Sequence, residues 1–226
     1  MEQFESVDRA PKLMVTADGS HTLYIESMDE HYHSVNGAVQ ESNHVFIQAG
    51  LDQVQKEEIH ILEVGFGTGL NAFLTLLEAK RRGVRVRFIT TELYPLGDDI
   101  VAALNFTAGY SDEEKALFRS MHACEWNKPV EITDYFTILK LEGDINTMEF
   151  EDGLDLIYFD AFAPDKQAEM WSEELFQRIY DRTNKGGILT TYCAKGVVRR
   201  TMQAVGFTTE RLPGPPGKRE MLRATK

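Results

Sequence analysis

Short apolar runs and stretches of helical periodicity alternate along the chain from residue 58 onward. The apolar runs predict buried strands at 59–64, 85–92, 136–144, 154–160 and 186–193. Apolar residues at helical spacing predict helices around 70–82, 98–106, 112–123, 169–183 and 197–205. Because strands that alternate with helices form a parallel sheet covered on both faces, this pattern predicts an α/β fold.

The last two predicted strands, near 207–212 and 220–224, are joined by the Pro/Gly-rich loop 213–217. A loop this short leaves no room for a crossover helix, so the two strands must be antiparallel. The sequence therefore predicts a mostly parallel seven-stranded sheet with an antiparallel C-terminal strand. Sheets of this kind bind ligands at the carboxyl ends of their strands, so the residues that end each strand are candidates for chemistry.

Two further short strands are predicted within residues 12–26, with a turn at Asp18-Gly19. Residues 27–57 are irregular and then helical. We therefore divide the chain into a small N-terminal β-hairpin and helical extension, 1–57, packed on a core domain, 58–226.

The 226 residues are 42% hydrophobic and 27% charged, which is typical of a globular protein and excludes a disordered one. The two cysteines, Cys124 and Cys193, stand in no disulfide or metal-ligand spacing, which suits a reducing compartment. The first fifteen residues carry acidic side chains and no apolar core, and no apolar run approaches about 18 residues. We therefore expect a cytoplasmic protein with no secretory signal and no membrane span.

The net charge of −12 is unevenly distributed along the chain. The segment from Lys185 to Lys226 contains nine Lys and Arg residues and two acidic residues. An acidic protein is a poor general binder of nucleic acid, but a basic segment on an acidic body can hold one nucleic acid against one face. The same distribution also fits an ordinary solvated surface.

The segment Glu63-Val-Gly-Phe-Gly-Thr-Gly-Leu-Asn71 joins the first core strand to its helix. Glycine at every second position lets the backbone turn sharply and approach a ligand, and the helix beyond offers free N–H groups. A dinucleotide-binding fingerprint requires glycine at position 70, which is leucine here. An acid, one residue and then Gly-x-Gly-x-Gly is instead typical of S-adenosylmethionine-dependent methyltransferases. The candidate cofactor contacts in this segment are Glu63, Gly65, Gly67, Gly69 and Asn71.

Acidic residues also end three of the later core strands. Glu92 ends the second strand, where a carboxylate can accept both ribose hydroxyls of a nucleoside. Asp144 ends the third strand and is followed by Ile145; in methyltransferases this acid caps the adenine amino group while its apolar neighbour packs on the ring. A single strand-end acid can equally cap a turn or helix. Three such acids, Glu92, Asp144 and the Asp160 described next, occur in this order after the glycine segment, and together they favour a nucleoside-binding site.

Asp160 ends the fourth core strand and opens the segment Asp160-Ala-Phe-Ala-Pro164. In this fold the position lies beside the methyl group of the cofactor. Methyl transfer to an amine needs an unprotonated lone pair, and a carboxylate here can orient the N–H bonds and accept the proton. Phe162 and Pro164 would form an apolar wall against which a flat base can stack. The alternative is a structural turn in which Pro164 simply ends the strand.

Candidate RNA contacts follow the fifth core strand. Tyr192 ends that strand close to Asp160, so we expect its hydroxyl to line the pocket. The basic side chains suited to phosphate contact are Lys195, Arg199, Arg200, Lys218 and Arg219. The alternative is that these side chains are basic only because the ends of helices are exposed to solvent, with no contact to RNA.

Two other features indicate structure rather than chemistry. Trp171, near the start of a helix, is predicted to anchor the core. The run His31-Tyr32-His33, with His44 beyond it, lacks the neighbouring thiolates or carboxylates of a metal site, so no bound metal is predicted.

Several strings taken together resemble one enzyme family. They are VGFGTGLN (64–71), DAFAP (160–164), MW (170–171), YCAKGVVRR (192–200), GF (206–207) and GPPGKREM (214–221). The segment HYHSVNGAVQESNHVF (31–46) belongs to the same resemblance, which runs from about residue 20 to the last residue. The chain is similar to the methyltransferases that complete 5-methylaminomethyl-(2-thio)uridine at the tRNA wobble position, the MnmC methyltransferase-domain family.

The resemblance implies a Rossmann-like class I methyltransferase fold with S-adenosylmethionine as cofactor. It implies that the methyl group goes to the primary amine of 5-aminomethyluridine in the tRNA anticodon loop. The positions carried over are Gly65, Gly67 and Gly69 at the methionine part of the cofactor, Glu92 at the ribose, Asp144 at the adenine and Asp160 at the acceptor amine.

Many members of this family are fused to an FAD-dependent oxidase. The chain ends where that module would begin and lacks a second glycine fingerprint. We therefore expect a stand-alone methyl donor enzyme without FAD, functionally linked to the enzymes that install the aminomethyl group.

Three alternative functions stay open. An aminopropyltransferase-like enzyme acting on a small amine would use the same glycine segment, with an acidic pocket and no use for the basic C-terminal residues. A non-catalytic RNA-binding module with this fold has no need for Glu92, Asp144 and Asp160 together. An NAD-dependent oxidoreductase is disfavoured by Leu70.

Overall fold

The computed structural model describes residues 11–226. Its strands are β1 (Lys12–Val15), β2 (His21–Ile25), β3 (Glu30–His31), β4 (Glu58–Val64), β5 (Arg85–Glu92), β6 (Pro129–Thr133), β7 (Phe136–Glu142), β8 (Leu154–Phe159), β9 (Thr183–Thr191), β10 (Thr208–Pro213) and β11 (Glu220–Thr225). Its α-helices are α1 (Ala38–Ser42), α2 (Leu70–Arg82), α3 (Asp98–Ala103), α4 (Asp112–Ala123), α5 (Glu173–Arg182) and α6 (Gly196–Ala204). Helix α1 continues as a π-helical turn over Asn43–Gln48.

The large sheet has eight strands in the order β10-β11-β9-β8-β4-β5-β7-β6. Strands β7, β5, β4, β8 and β9 are mutually parallel, whereas β11 runs antiparallel to both β9 and β10. This arrangement confirms the predicted α/β class, the mostly parallel sheet and the antiparallel C-terminal strand.

Strand β6 is the eighth strand, and the sequence analysis missed it. It lies at the edge of the sheet and pairs antiparallel with β7. Its five residues begin with Pro129 and all are at least partly exposed, so the segment has neither the apolar run nor the alternation of a buried strand. Proline and polar side chains are typical of edge strands, which have no second neighbour to pair with.

The N-terminal segment forms a separate three-stranded antiparallel sheet, β1-β2-β3. The predicted hairpin is confirmed, with Lys12 opposite Tyr24 and a turn closed by Thr16 and Ser20. Phe46, in the π-helical turn, packs against Tyr158 of the large sheet with ring centroids 5.1 Å apart. The boundary at residue 57 stays a prediction. Residues 1–10, which belong to the predicted extension and to the segment inspected for a secretory signal, lie outside the described residues.

Apolar side chains cover both faces of the large sheet because successive residues of a strand point to opposite sides. Phe88 and Tyr158 are buried on the face covered by α2 and α4. Their neighbours Ile89 and Phe159 are buried on the face covered by α5 and α6. Because the five central strands are parallel, their carboxyl ends lie at one common edge of the sheet. The acidic residues predicted to form the site follow these ends.

Across residues 11–226, no helix combines the length and apolar character needed to span a membrane.

A buried acid fixes the amino end of β8 to its neighbours. Asp155 accepts hydrogen bonds from the Lys56 Nζ (2.5 Å), the Asn184 Nδ2 (2.7 Å) and the His60 backbone N–H (3.1 Å). Burial by itself raises the pKa of Asp155, but these donors outweigh it and hold the pKa below its usual value of 3.8. The ionised carboxylate therefore stabilises the fold above that pH and loses this effect as the pH falls.

We expect Asp155→Ala to lower the free energy of unfolding at pH 7 by about 2–3 kcal/mol, because three donors lose a buried, charged acceptor. Urea unfolding followed by circular dichroism measures the change. Glu151→Ala is the matched control, since that carboxylate pairs with Arg87 at the surface and should cost less than about 1 kcal/mol. Equal losses in the two variants would contradict a special role for the buried network.

Candidate active site

A cavity of about 280 Å³ lies at the carboxyl ends of β4, β5 and β8 and beside the turn that follows β7. It is lined by residues from segments far apart in the sequence, as the sheet topology requires. The sequence-predicted site residues among them are Gly65, Gly67, Asn71, Glu92, Asp144, Ile145, Asp160 and Phe162.

The glycine loop after β4 (65–69) adopts a conformation that other residues rarely reach. Gly67 and Gly69 have φ values of +51° and +71°. A Cβ atom on Gly67 would lie 3.1 Å from the Tyr32 ring, and one on Gly69 would lie 2.6 Å from the His122 Nε2. The loop therefore requires glycine for both its conformation and its contacts. Gly69 precedes α2 and does not line the cavity.

Glu92 holds the glycine loop in place from the end of β5. Its carboxylate accepts the backbone N–H groups of Gly67 and Tyr94, each at 2.9 Å. Burial raises the pKa of Glu92, while these backbone N–H groups partly offset the rise. A carboxylate offers about four acceptor positions, so acceptor capacity remains for ligand hydroxyls at the cavity wall.

Asp144 and Ile145 form the next part of the wall. The backbone N–H and the side-chain amide of Asn146 both donate to the Asp144 Oδ1, each at 2.9 Å. The Arg178 guanidinium, from α5, donates to the carbonyl oxygens of Ile145 and Asn146 at 2.7 Å. This turn therefore presents one acidic and one apolar side chain to the cavity in a fixed orientation.

Asp160 lies between the glycine loop and the segment that follows β8. The Asn71 Nδ2, from the first turn of α2, donates to the Asp160 Oδ2 at 2.8 Å. Burial and the nearby Glu41 raise the pKa of Asp160 to about 8, although Asn71 and Lys218 act in the opposite direction. The carboxyl group thus sits at the cavity wall with a pKa in the range where general bases work at neutral pH.

Phe162 is oriented by its neighbours. Its ring meets the Tyr32 ring edge to face, with centroids 5.2 Å apart. The Trp171 Nε1 donates to the Phe162 carbonyl oxygen at 2.8 Å, and the Trp171 ring packs on Phe159. Trp171 is buried, which confirms its predicted place in the core.

Glu63 is not among the residues that line the cavity, and its predicted contact with a cofactor stays a prediction. Its side chain is fully buried in β4, and Thr90 donates to it from the neighbouring strand at 2.7 Å. The strand alternation directs this side chain away from the ligand side of the glycine loop.

The predicted RNA contacts fall into two groups. Tyr192 donates its hydroxyl to the Ala161 carbonyl oxygen at 2.9 Å and lies beneath the Lys218 ammonium, 3.8 Å from its ring centroid. Lys218 also forms an ion pair with the buried Glu41 at 2.5 Å. Lys195 forms an ion pair as well, in its case with Asp165. Lys218 is therefore paired at a largely buried site, whereas the Lys195 pair is exposed to solvent. Their contact with phosphates stays a prediction.

Arg199, Arg200 and Arg219 make the second group. Within residues 11–226 none of the three forms an ion pair, and Arg200 and Arg219 are exposed. The basic segment as a whole is not one patch, because β11 runs back along β9. Lys226 and Lys185 consequently lie near the amino end of β9, at the far edge of the sheet from Asp160.

Tyr32 and His33 are among the residues that line the cavity but were not predicted as part of the site. The His33 Nε2 lies 2.7 Å from the Thr68 Oγ1 of the glycine loop. Burial lowers the pKa of His33 to about 4, so the ring is neutral at physiological pH. The family resemblance of 31–46 was the available signal, but no local pattern shows that this segment folds over a loop 35 residues later.

No group of three or more His, Cys, Asp or Glu side chains in the described chain is arranged to hold a metal.

The residues present fit S-adenosylmethionine, whose sulfonium and ammonium groups are cationic. The described lining contains the carboxyl groups of Glu92, Asp144, Asp160 and Glu169 and no lysine or arginine. The N–H groups of the first turn of α2, which have no acceptor one turn earlier within a helix, suit the ligand's carboxylate. The absence of side chains at Gly65 and Gly67 leaves the backbone open to close approach.

Comparisons with known proteins agree with this geometry. A family described as S-adenosyl-L-methionine-dependent methyltransferase matches residues 115–226. The tRNA 5-methylaminomethyl-2-thiouridine biosynthesis bifunctional protein MnmC of Cupriavidus metallidurans is 34% identical over 214 residues, covering 88% of this chain and 32% of that protein. The chain thus spans about a third of the length of this curated relative.

Two solved structures are similar to the whole fold. The crystal structure of MNMC2 from Aquifex aeolicus has a TM-score of 0.81 and 26% identity, covering 98% of this chain and 72% of that one. Spermidine synthase from Thermotoga maritima has a TM-score of 0.57 and 14% identity, covering 95% of this chain and 68% of that one. The second likeness shows the fold alone.

We expect Glu92→Ala to raise the dissociation constant for S-adenosylmethionine about tenfold, since a hydrogen bond to a charged group contributes about 1.5–3 kcal/mol. Isothermal titration calorimetry measures the constant. Glu142→Ala is the matched control, because Glu142 is the register partner of Glu92 on β7 and its exposed side chain lies outside the cavity. An unchanged constant for Glu92→Ala would remove this acid from the cofactor site.

The sheet order, the glycine loop and the acids at the strand ends occur here together with the family match over residues 115–226. The chain therefore belongs to the S-adenosyl-L-methionine-dependent methyltransferases, and within them it is similar to the MnmC proteins.

Proposed function

We propose that the protein methylates the primary amine of 5-aminomethyl-(2-thio)uridine at the wobble position of tRNA, giving 5-methylaminomethyl-(2-thio)uridine. The observation that carries the proposal is an acid held at the cavity wall, Asp160, in a chain 34% identical to a protein of 5-methylaminomethyl-2-thiouridine biosynthesis. An acidic cavity supports it further, because it suits both a cationic cofactor and an amine acceptor.

In this proposal the cofactor is held by residues of three strand ends. Gly65 and Gly67 approach its methionine part, Glu92 accepts the ribose hydroxyls, and Asp144 with Ile145 holds the adenine. When bound, S-adenosylmethionine supplies an electrophilic methyl group to the amine nitrogen.

Asp160 acts on the acceptor amine. Asn71 occupies one of its oxygens, and the other can accept an N–H of the amine and direct the nitrogen lone pair toward the methyl donor. The same oxygen takes up the proton that the nitrogen loses as it is methylated. The carboxyl group must be ionised for this role. With a pKa of about 8, its ionised fraction increases with pH through the range in which the amine also loses its proton.

The acceptor base enters beside Phe162. This ring, held by Tyr32 and by the Trp171 hydrogen bond, offers an apolar face for stacking. A wobble base is unpaired in the anticodon loop, so it enters a pocket without the cost of opening a duplex. Arg200 and Arg219 are exposed and Arg199 is half-buried, and these are the side chains that we assign to phosphate contacts.

The proposal places the protein in the cytoplasm, with the tRNA anticodon loop as its partner. The primary amine it consumes must come from enzymes that install the aminomethyl group on uridine, which makes a functional link to them.

A small-amine transferase is the second candidate, because the acidic lining also suits a polyamine. In this alternative the basic side chains do not contact RNA. The identity of the acceptor that receives the transferred group therefore distinguishes the two candidate functions.

We expect incubation with isotopically labelled S-adenosylmethionine and tRNA carrying 5-aminomethyluridine to add one methyl group to that nucleoside, measured by nucleoside mass spectrometry. Asp160→Asn should lower the single-turnover rate at least about a hundredfold, the usual contribution of a positioned base, and leave cofactor affinity within about threefold. Putrescine incubated with decarboxylated S-adenosylmethionine serves as the parallel acceptor assay. Cofactor binding without methylated tRNA, or aminopropyl transfer to putrescine, would reject the proposal.

Replacing Arg199 and Arg200 together by alanine should weaken tRNA binding about tenfold and reduce its salt dependence, because two phosphate contacts are lost. Filter binding at several salt concentrations measures both quantities. Lys185→Ala is the control, since this exposed lysine lies at the other end of β9. Equal effects in the two variants would show that RNA docks elsewhere.

A further inference from the structure

Glu63 is a carboxyl group buried beside the site without a counter-charge. Its side chain is 0% exposed, and Thr90 donates to its Oε2 at 2.7 Å. Its Oε1 is buried and, within the described chain, has no hydrogen-bond partner. The Glu63 carboxyl forms no ion pair with any described lysine, arginine or histidine.

The electrostatic surroundings of Glu63 disfavour a negative charge. Burial raises its pKa well above the ordinary value, and the nearby carboxyl groups of Asp160 and Glu92 raise it further. The hydrogen bond from Thr90 and the nearby Asn71 amide act in the opposite direction without restoring the usual value. Burial and the neighbouring carboxyl groups therefore both favour the neutral form of Glu63 over the ionised form.

Asn71 connects Glu63 to Asp160. The Asn71 Nδ2 donates to the Asp160 Oδ2 at 2.8 Å, and its side chain lies within hydrogen-bonding reach of Glu63. The Asn71 Oδ1 is buried and, like the Glu63 Oε1, has no partner among the described residues. An ionised Glu63 leaves two buried acceptors without a donor. A protonated Glu63 supplies a donor, because its hydroxyl can donate to the Asn71 amide oxygen.

We propose that Glu63 is kept as a neutral carboxylic acid that orients the Asn71 amide, so that the amide nitrogen rather than its oxygen faces Asp160. The chain of donors then runs from Thr90 to Glu63, from Glu63 to Asn71 and from Asn71 to Asp160. Glu63 is a positioning residue in this scheme and touches no ligand. The inference rests on the proposed function only in giving Asp160 its role toward the amine.

The protonation of Glu63 is tested on ligand-free protein with two isosteric substitutions. Glu63→Gln removes no charge if Glu63 is neutral, and its amide can donate to Asn71 as the hydroxyl did. Glu41→Gln is the matched comparison, since Glu41 is buried, is ion-paired with Lys218 and acts on Asp160 through its charge. Nuclear magnetic resonance of ¹³C-labelled aspartate carboxyl groups follows the titration of Asp160, whose signal is identified by its loss in Asp160→Asn.

We expect the titration midpoint of Asp160 to stay unchanged in Glu63→Gln and to move to lower pH in Glu41→Gln. In the second variant a negative charge is lost and Lys218 is left unpaired, and both effects favour the ionised form of Asp160. A midpoint that moves to lower pH in Glu63→Gln, as it does in Glu41→Gln, would show that Glu63 is ionised and overturn the proposal.

The positioning role is tested by a rescue experiment on methyl transfer. Glu63→Leu removes the donor that orients the Asn71 amide and so weakens the hydrogen bond from Asn71 to the ionised Asp160. It should lower kcat about tenfold, with KM for S-adenosylmethionine within about threefold. Glu63→Gln should restore most of this loss. Equal losses in both variants would overturn the proposal, and thermal unfolding shows whether each variant folds. If wild-type protein methylates no tRNA, the proposed function fails, while the titration still decides the state of Glu63.

Discussion

The hydrogen bond from the Gly67 N–H to the Glu92 carboxylate fixes the loop on which the rest of the site depends. It ties the β4–α2 turn to the end of β5, and the Thr91 carbonyl oxygen adds two more bonds by accepting the N–H groups of Gly65 and Phe66. The direction in which α2 begins follows from this turn. Asn71 lies in the first turn of that helix, so the same constraint places its amide against Asp160.

Three buried carboxyl groups close together carry an energetic cost. The pKa values of Glu63, Glu92 and Asp160 are all raised, with burial as the largest cause in each. A raised pKa means that the folded state binds the proton more tightly than the unfolded chain does. The fold therefore loses stability as the pH rises from the ordinary carboxyl range through the raised values. A cationic ligand relieves this cost. The three acids therefore lower the stability of the ligand-free protein and raise its affinity for cationic ligands.

The side of the site that faces the cofactor could be predicted from the sequence because local patterns define it. Apolar runs located β4, β5 and β8, and the rule that parallel strands end at one edge brought Glu92, Asp144 and Asp160 together. The burial of Glu63 could not be predicted, because a glycine motif marks a loop and does not say which way the preceding strand residue points. Strand β6 was missed because edge strands carry little apolar signal.

The acceptor side could not be predicted because contacts between distant parts of the chain form it. Lys218 and Glu41, 177 positions apart, pair beside Tyr192, and the His44 ring bonds to the Pro213 carbonyl oxygen at 2.8 Å. These contacts join the segment 31–46 to the loop after β10. Neither segment carries a periodic pattern, and a charge count cannot tell an internally paired lysine from a free one.

The two sides of the cavity are built from different parts of the fold. The strand ends that surround the cofactor are fixed by the central sheet, whereas Tyr32, Glu41 and Lys218 come from segments that pack on its rim. Glu41 and Lys218 act on Asp160 with opposite signs, so a change in their pairing changes the charge state of Asp160 at the cavity wall. Under the proposed function, the preference among amine acceptors can therefore alter in these two segments while the sheet and the glycine loop stay the same.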